Sequence, residues 1–208
     1  MNRYLFAALI FVPILAGAQG NGIEITPFAG YRLGGTFESA DPTDTPSEYE
    51  MEDSSSFGLI VNFPHRSNTQ WEIFYSQQSS EALYSGPVGP DPQVDVDIHI
   101  LQLGGTYQGD GDKARPYLAA TLGATHIRAN SADSSDDTFF SGSIGVGVMF
   151  MPTARVGVRV EARAHGTLLN SSSEIFCSTG PNANVCAVRL DGNLLTQVET
   201  FAGITFRF

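Results

Sequence analysis

Alternation of apolar and polar residues with a period of two constrains this fold more than any other feature of the sequence. It is clearest near the end of the chain, where one face comprises Val198, Thr200, Ala202, Ile204, Phe206 and Phe208. Residues 156–165 repeat the pattern, with valine and alanine on one face and Gly157, Arg159, Glu161, Arg163 and His165 on the other. Successive side chains of a strand point to opposite faces of a sheet, whereas a helical face recurs about every 3.6 residues, and no segment has that longer period. The sequence therefore predicts an all-β protein.

Eight segments carry strand character, and the connections between them alternate in length. The predicted strands are residues 23–37, 57–63, 71–76, 94–108, 115–128, 140–150, 156–165 and 197–208. Four connections are long and polar (38–53, 79–93, 129–137 and 169–192), and three are short (64–69, 109–113 and 152–154). Long extracellular loops and short periplasmic turns are typical of antiparallel up-and-down transmembrane β-barrels of the bacterial outer membrane. An even number of strands then places both termini on the periplasmic side.

Aromatic residues gather near the predicted periplasmic strand ends. They are Phe63, Trp71, Tyr107, Tyr117, Phe150, Phe206 and Phe208, and most of the seven fall on the outward face of their strand. Outer-membrane barrels carry such girdles where the lipid-facing band meets water. The alternative, a soluble lipocalin-like barrel, has no reason to ring one rim with aromatics. It would also need apolar side chains inside, whereas the charges here occupy the less apolar face.

The fourth predicted strand changes phase. Val96, Ile98 and Ile100 share one phase, and Leu101 and Leu103 share the other. Either a β-bulge flips the faces near Ile100, or the upper half of the strand stands above the membrane, where no lipid-facing pattern is needed. We favour the second interpretation, because the strand is longer than the ~9–11 residues that cross a bilayer.

The N-terminus has the pattern of a secretory signal peptide. Arg3 supplies the positive charge, residues 5–15 form the apolar segment, and residues 16–18 read Ala-Gly-Ala, a small-x-small cleavage site. We therefore expect residues 1–18 to be removed and residues 19–208 to form the barrel domain. The alternative is a buried N-terminal helix, but the segment has no amphipathic period and Pro13 interrupts it.

The two cysteines lie close together in a polar segment rich in Ser, Gly, Pro and Asn. In an oxidising compartment, Cys177 and Cys186 are expected to form a disulfide that closes this loop. A metal site is the rival interpretation, and it lacks further Cys or His ligands nearby. No cofactor and no metal site are predicted.

Several motifs resemble those of the small eight-stranded outer-membrane β-barrels, the family that contains the transmembrane domain of outer-membrane protein A. They are the signal peptide, residues 115–123 (Arg-Pro-Tyr-Leu-Ala-Ala-Thr-Leu-Gly), the Gly-rich residues 142–148 and the C-terminal residues 203–208. The resemblance implies that Phe208, Phe206 and Ile204 form a signal for the barrel-assembly machinery during insertion. It spans essentially all of residues 19–208. Because the sequence stops at Phe208, we expect the periplasmic peptidoglycan-binding domain of some relatives to be absent.

Charge is distributed unevenly along the predicted barrel. The net charge of −11 argues against nucleic-acid partners, because a polyanion repels an acidic surface. The long loops and outer strand ends hold 16 acids against only Arg128 and Arg189. The densest patch is the acidic surface loop of Glu48, Glu50, Glu52 and Asp53. It is interpreted either as a solvated, self-repelling loop or as a binding site for divalent cations, cationic partners or neighbouring lipopolysaccharide.

The predicted inward faces hold four acids and four bases. They are Glu24, Glu72, Glu161, Glu199, Arg32, Arg159, Arg163 and Arg207. Buried charges must be paired, and the interior of an eight-stranded barrel is just wide enough for side chains to fill. We therefore expect an interior salt-bridge network that plugs the barrel. If the first strand closes on the last with Glu24 facing Arg207, then Arg32 faces Glu199.

These features predict a monomeric outer-membrane barrel in contact with lipid and lipopolysaccharide, with a structural or surface-interaction role in envelope integrity, adhesion or binding. One alternative is a narrow, low-conductance channel, which would need water to pass the layer of Arg159, Glu161 and Arg163. Another is a lipid-modifying enzyme, whose chemistry needs a histidine beside a serine or acid. His165 with Ser171–Ser173 is the best such candidate, and it would have to converge with His126 at one rim facing lipid. We expect no enzymatic activity.

Overall fold

The computed structural model describes residues 22–34, 36–39, 47–51, 53–85, 94–111, 113–129, 137–169, 177–180, 183–186 and 194–208. All regular secondary structure within these ranges is β-strand. No helix among them is long and apolar enough to cross a membrane. The predicted signal peptide lies outside the described residues, and its cleavage stays a prediction.

Twelve strands occupy the described residues. In chain order they are β1 (Glu24–Leu33), β2 (Thr36–Ser39), β3 (Ser47–Met51), β4 (Ser54–Arg66), β5 (Thr69–Ser85), β6 (Val94–Gln108), β7 (Ala114–Ala129), β8 (Asp137–Phe150), β9 (Val156–Leu168), β10 (Cys177–Gly180), β11 (Ala183–Cys186) and β12 (Leu194–Arg207).

Eight of these strands form a closed antiparallel barrel. Strands β1, β4, β5, β6, β7, β8, β9 and β12 pair in that order, and β12 returns to pair with β1. Closure satisfies the backbone of both edge strands, which is what a membrane-spanning sheet requires. The predicted eight-stranded all-β barrel is confirmed.

The closing register is the one that the charge pairs predict. Glu24 lies opposite Arg207 and Arg32 lies opposite Glu199 across the β1–β12 pair. The faces also follow the sequence pattern, because burial alternates residue by residue along β9 and β12. The charged residues of these strands point into the barrel together with Phe201, and the valine, isoleucine and Phe206 side chains point outward.

Three of the predicted connections contain strand residues: 38–53, 79–93 and 169–192, the last of which includes β10 and β11. The first predicted strand, 23–37, is in fact divided, because β1 ends at Leu33 and β2 begins at Thr36. Strands β2 and β3 form a hairpin, and β3 pairs with the upper part of β5. The predicted loops 38–53 and 79–93 were therefore too long. The register places Phe37, Tyr49 and Tyr84 opposite one another, and aromatic residues favour strands.

Strand β6 has no bulge. Its pairing with β5 runs without a register shift from Val94 to Tyr107, and its pairing with β7 is equally continuous. The bulge alternative is therefore wrong. The phase change arises because Val96, Ile98 and Ile100 point into the barrel, where they are buried. The height of this segment relative to the membrane stays a prediction.

Most of the predicted aromatic girdle lies on the outer surface of the barrel. Trp71, Tyr107, Phe150 and Phe206 are exposed outward near the short-turn rim. Tyr117 contradicts the prediction, because its side chain points inward and is only 4% exposed. Small residues on both faces of β7 conceal the phase of that strand in the sequence.

Candidate functional site

The barrel interior contains a compact cluster of four charged residues near the short-turn rim. Glu72 of β5 lies 2.8 Å from Arg159 and 2.7 Å from Arg163. Glu161 lies 2.7 Å from Arg159 and 2.6 Å from Arg163. The three β9 residues are two positions apart, so they share the inward face. Each carboxylate bridges both guanidinium groups, and each side chain is at most 2% exposed.

Neutral side chains complete the hydrogen bonding of this four-residue ionic cluster. Tyr117 donates to Glu161 at 2.6 Å and accepts from the Arg159 Nε at 2.7 Å. Asn62 accepts from the Arg159 Nη1 at 3.0 Å and donates to Glu72 at 3.1 Å. Buried charges are tolerated when their remaining donors and acceptors are satisfied in this way.

Two glycines of β8 provide the space that the cluster occupies. A Cβ at Gly145 would collide with the carboxylate of Glu161, and one at Gly147 would collide with the hydroxyl of Tyr117. Both positions face inward, where β8 crosses the ionic cluster. The Gly-rich run of this strand therefore fits the interior side chains of its neighbours.

Three stacked aromatic rings lie beside the ionic cluster. Phe28 stacks on Phe201 with ring centroids 4.3 Å apart and on Phe74 at 5.6 Å. The guanidinium of Arg163 lies over the Phe74 ring, 4.1 Å from its centroid. The imidazole of His165 is also 5.6 Å from Phe74. The aromatic layer therefore contacts both the ionic cluster and His165.

A second ionic group follows toward the long-loop rim. Arg32 lies 3.2 Å from Glu199, and the His165 Nε2 lies 2.9 Å from the same carboxylate. Ser76 accepts a hydrogen bond from Arg32 at 2.6 Å and donates to Glu199 at 3.0 Å. Gln78 accepts from Arg32 at 3.2 Å.

The last charged pair and an apolar cluster occupy the two ends of the interior. Arg207 forms an ion pair with Glu24 at the short-turn rim, and the Arg207 side chain is 24% exposed. Buried apolar side chains fill the long-loop end, since they lie at the strand ends that adjoin the long connections: Val96, Ile98, Ile127, Phe139, Leu169 and Leu195. All eight charged residues of the predicted interior set thus lie in ion pairs.

The structure does not bring His126 and His165 together at one rim, as the lipid-modifying alternative requires. His165 points inward and is 2% exposed. His126 points outward on β7, where its Nδ1 lies 3.0 Å from the Thr138 hydroxyl. His99 lies opposite His126 and its Nδ1 is 3.1 Å from the Tyr75 hydroxyl. His126 and His165 are therefore on opposite sides of the barrel wall, and Ser171–Ser173 lie outside the described residues.

The acidic surface loop is only partly described. Glu48 and Glu50 are in β3, Glu52 lies outside the described residues, and the exposed Asp53 accepts a hydrogen bond from the Gly34 amide at 2.6 Å. Within the described ranges, no group of three or more His, Cys, Asp or Glu residues could hold a metal ion. The β10–β11 register places Cys177 opposite Cys186, and the disulfide itself stays a prediction.

The C-terminal motif lies at the short-turn rim. Ile204 and Phe206 are in β12 and point outward, and the exposed Phe208 follows the strand, where its amide donates to the Ile23 carbonyl at 3.0 Å. The terminal residue is thereby attached to β1. Recognition of this motif by assembly machinery stays a prediction.

Comparison with known proteins agrees with this architecture. The family model of the outer membrane protein beta-barrel domain matches residues 4–188. The chain belongs to this family. The protein is accordingly an outer-membrane β-barrel, and the family places it in the bacterial outer membrane. The resemblance found in the sequence is confirmed.

Solved structures resemble the chain at low sequence identity, and the first of those that follow shows the same fold. Neisserial surface protein A is 16% identical, with a TM-score of 0.59 over 90% of this chain and 97% of that chain. The N-terminal β-barrel domain of Pseudomonas aeruginosa OprF is 15% identical, with a TM-score of 0.45 over 90% of this chain and 100% of that one. The attachment invasion locus protein Ail of Yersinia pestis is 14% identical, with a TM-score of 0.44 over 90% and 100%. No curated sequence matches the chain.

Proposed function

We propose that the protein is a non-conducting and non-enzymatic barrel with a structural or surface-interaction role in the outer membrane. The main observation that supports this proposal is the set of ion pairs inside the barrel. Arg32, Arg159 and Arg163 are each at most 1% exposed, and each contacts a buried carboxylate. Eight-stranded barrels have interiors that side chains can fill, and paired charges with satisfied hydrogen bonds hold such side chains in place.

The two ends of the interior support the same proposal. The apolar cluster at the long-loop end presents side chains such as Ile98 and Leu195 that do not bind water, so a water-filled path there is disfavoured. The aromatic layer of Phe28, Phe74 and Phe201 adds three buried rings beside the ionic groups. A solute would have to displace all of these side chains in succession.

We also propose the orientation and partners of the barrel. Short periplasmic turns and longer extracellular loops are the rule for this architecture, so both termini are periplasmic. The acidic loops then face outward, where divalent cations can bridge them to lipopolysaccharide. The chain is proposed to act as a monomer, because its barrel is closed and its outward face is apolar over the predicted lipid-facing band.

Planar-bilayer recording tests the non-conducting interior. The chain refolded in detergent and inserted into a bilayer should give no steady conductance. A large, steady conductance would contradict the proposal and favour a channel. Insertion is verified on the same sample by the mobility shift of the folded barrel in electrophoresis without heating.

Loop charge neutralisation tests the surface-interaction role. Replacing Glu48, Glu50 and Glu52 by glutamine should weaken magnesium-dependent association of the barrel with lipopolysaccharide vesicles. The matched control is Asp110→Asn, an exposed acid of the turn at the opposite rim. Equal association of the triple variant and the control would contradict the proposed role of the acidic loop.

A further inference from the structure

An outward groove at the short-turn rim combines an apolar wall with a basic mouth. It has a volume of about 500 Å³ and lies between β5, β6 and β7. Trp71, Tyr107 and Leu118 form its walls, and each of these side chains is roughly 60% exposed. The volume is within the ~300–1,000 Å³ that small-molecule sites have.

The floor of the groove is formed by the small residues Gly105 and Ala120. The strand registers place Trp71 opposite Gly105 and Gly105 opposite Ala120, all at outward positions. The large side chains flanking this row therefore enclose a gap wide enough for a linear apolar chain. A neighbouring lipid has to fill that gap, because the outward face of a barrel contacts hydrocarbon.

The mouth of the groove is cationic. His65 and Arg66, at the end of β4, line it where the strand meets the turn. Their side chains are exposed, and the His65 ring is 5.6 Å from the Trp71 ring. The adjacent β6–β7 turn contains Lys113 and, in its sequence, the acids Asp110 and Asp112, so Arg66 supplies the positive charge of the mouth. Asp110 accepts a hydrogen bond from Asn68 at 3.5 Å.

We propose that this groove binds an anionic glycerophospholipid, with an acyl chain along Trp71, Gly105 and Ala120 and the phosphate at Arg66. An aromatic at the membrane interface and a cation beside it are the pairing that recognises an anionic head group with its first acyl carbons. In the proposed orientation the lipid belongs to the periplasmic leaflet. The lipid site is independent of whether the interior conducts.

The single tryptophan of the chain makes the test direct. Trp71 is the only tryptophan, and it forms one wall of the groove. The barrel is reconstituted into phosphatidylcholine vesicles that contain equal mole fractions of either brominated phosphatidylglycerol or brominated phosphatidylcholine. Bromine quenches the tryptophan on contact, so the quenching reports which lipid occupies the groove. Both leaflets have the same composition, so the result does not depend on orientation.

We expect phosphatidylglycerol to be preferred by about 5-fold in relative association constant, which corresponds to the ~1 kcal/mol that one arginine contributes near a membrane surface. Arg66→Gln should abolish this preference. The matched control is Arg155→Gln, an exposed arginine between β8 and β9 that does not line the groove. Equal quenching by the two lipids in the unmodified chain would overturn the proposal, as would an equal loss of preference in the control.

A second variant tests the groove rather than its charge. Ala120→Leu places a larger side chain on the floor and should reduce quenching by both brominated lipids. Ala162→Leu, at an exposed outward alanine of β9, is the control and should leave quenching unchanged. Unaltered quenching in Ala120→Leu would show that no acyl chain lies in the groove.

Discussion

Glu72 is the residue whose replacement tests the interior ionic cluster most sharply. Its carboxylate accepts hydrogen bonds from Arg159 at 2.8 Å, Arg163 at 2.7 Å and Asn62 at 3.1 Å, and it is not exposed to solvent. Glu72→Gln keeps the size of the side chain and removes its charge. Glu161 alone would then have to neutralise two buried guanidinium groups. Removing one partner of a buried ion pair costs about 3–5 kcal/mol, so this is the expected loss in the free energy of unfolding.

Equilibrium unfolding in urea, followed by far-ultraviolet circular dichroism in lipid vesicles, measures this loss. Glu24→Gln is the matched control, because its partner Arg207 is 24% exposed and water can solvate the cation left behind. Its expected cost is below about 1 kcal/mol. A free energy of unfolding for Glu72→Gln within about 1 kcal/mol of the unmodified chain would contradict this expectation. So would an equal loss of stability in the control.

A second substitution that removes one of the two buried positive charges tests whether the residues of the ionic cluster are coupled. Glu72→Gln combined with Arg163→Gln restores a neutral cluster, with Glu161 paired to Arg159 alone. Residues in one ion-pair network couple, so the double variant should be more stable than the sum of the single effects predicts. Strict additivity would mean that the two side chains act independently.

Further predictions concern β8 and the predicted disulfide. Gly147→Val should slow or prevent refolding, measured as the fraction of chain that shows the folded electrophoretic mobility, because its side chain would collide with the Tyr117 hydroxyl. Gly166→Val is the control, because a Cβ at this outward position of β9 meets only Leu194, at 3.4 Å. Equal refolding of the two variants would contradict the proposed collision. Cys177→Ser should abolish a mobility difference between reduced and unreduced unfolded chain, and should lower stability by roughly 2–3 kcal/mol, the chain-entropy value for closing a loop of about 10 residues. An unreduced chain without that mobility difference would show that Cys177 and Cys186 do not pair.

The strands and their faces could be predicted where the two faces differ strongly in chemistry. Along β9 the alternation of valine with Arg159, Glu161 and Arg163 determines both the strand and its orientation, because lipid and interior require opposite side chains. The closing register could be found for a related reason. Charges that must be paired inside the barrel leave few ways to align Arg32 with the last strand.

Other features depend on contacts between distant strands and could not be predicted in the same way. Tyr117 was expected at the lipid interface, and it points inward because its hydroxyl lies between Arg159 and Glu161. The alternation of β7 is too weak to show this. The apolar cluster around Ile98 also conflicts with the expectation of a polar interior. The cluster forms because inward apolar residues of several strands become neighbours when the barrel closes.

The sequence predicts the inward position of the three aromatic residues but not their stacking. Phe28, Phe74 and Phe201 share the phase of Glu24, Glu72 and Glu199 in their strands, so an inward position follows from the sequence. Their stacking follows from the barrel registers, which set the height of each residue. A search for aromatic residues on otherwise polar inward faces would have detected the layer.

Single-channel recording of two proteins tests whether interior side chains close the barrel. The unmodified chain is compared with a variant in which Glu72, Glu161, Arg159 and Arg163 are all replaced by alanine. We expect no steady conductance from the unmodified chain and measurable conductance from any variant barrels that insert. Steady conductance of the unmodified chain, equal to that of the variant, would contradict this expectation.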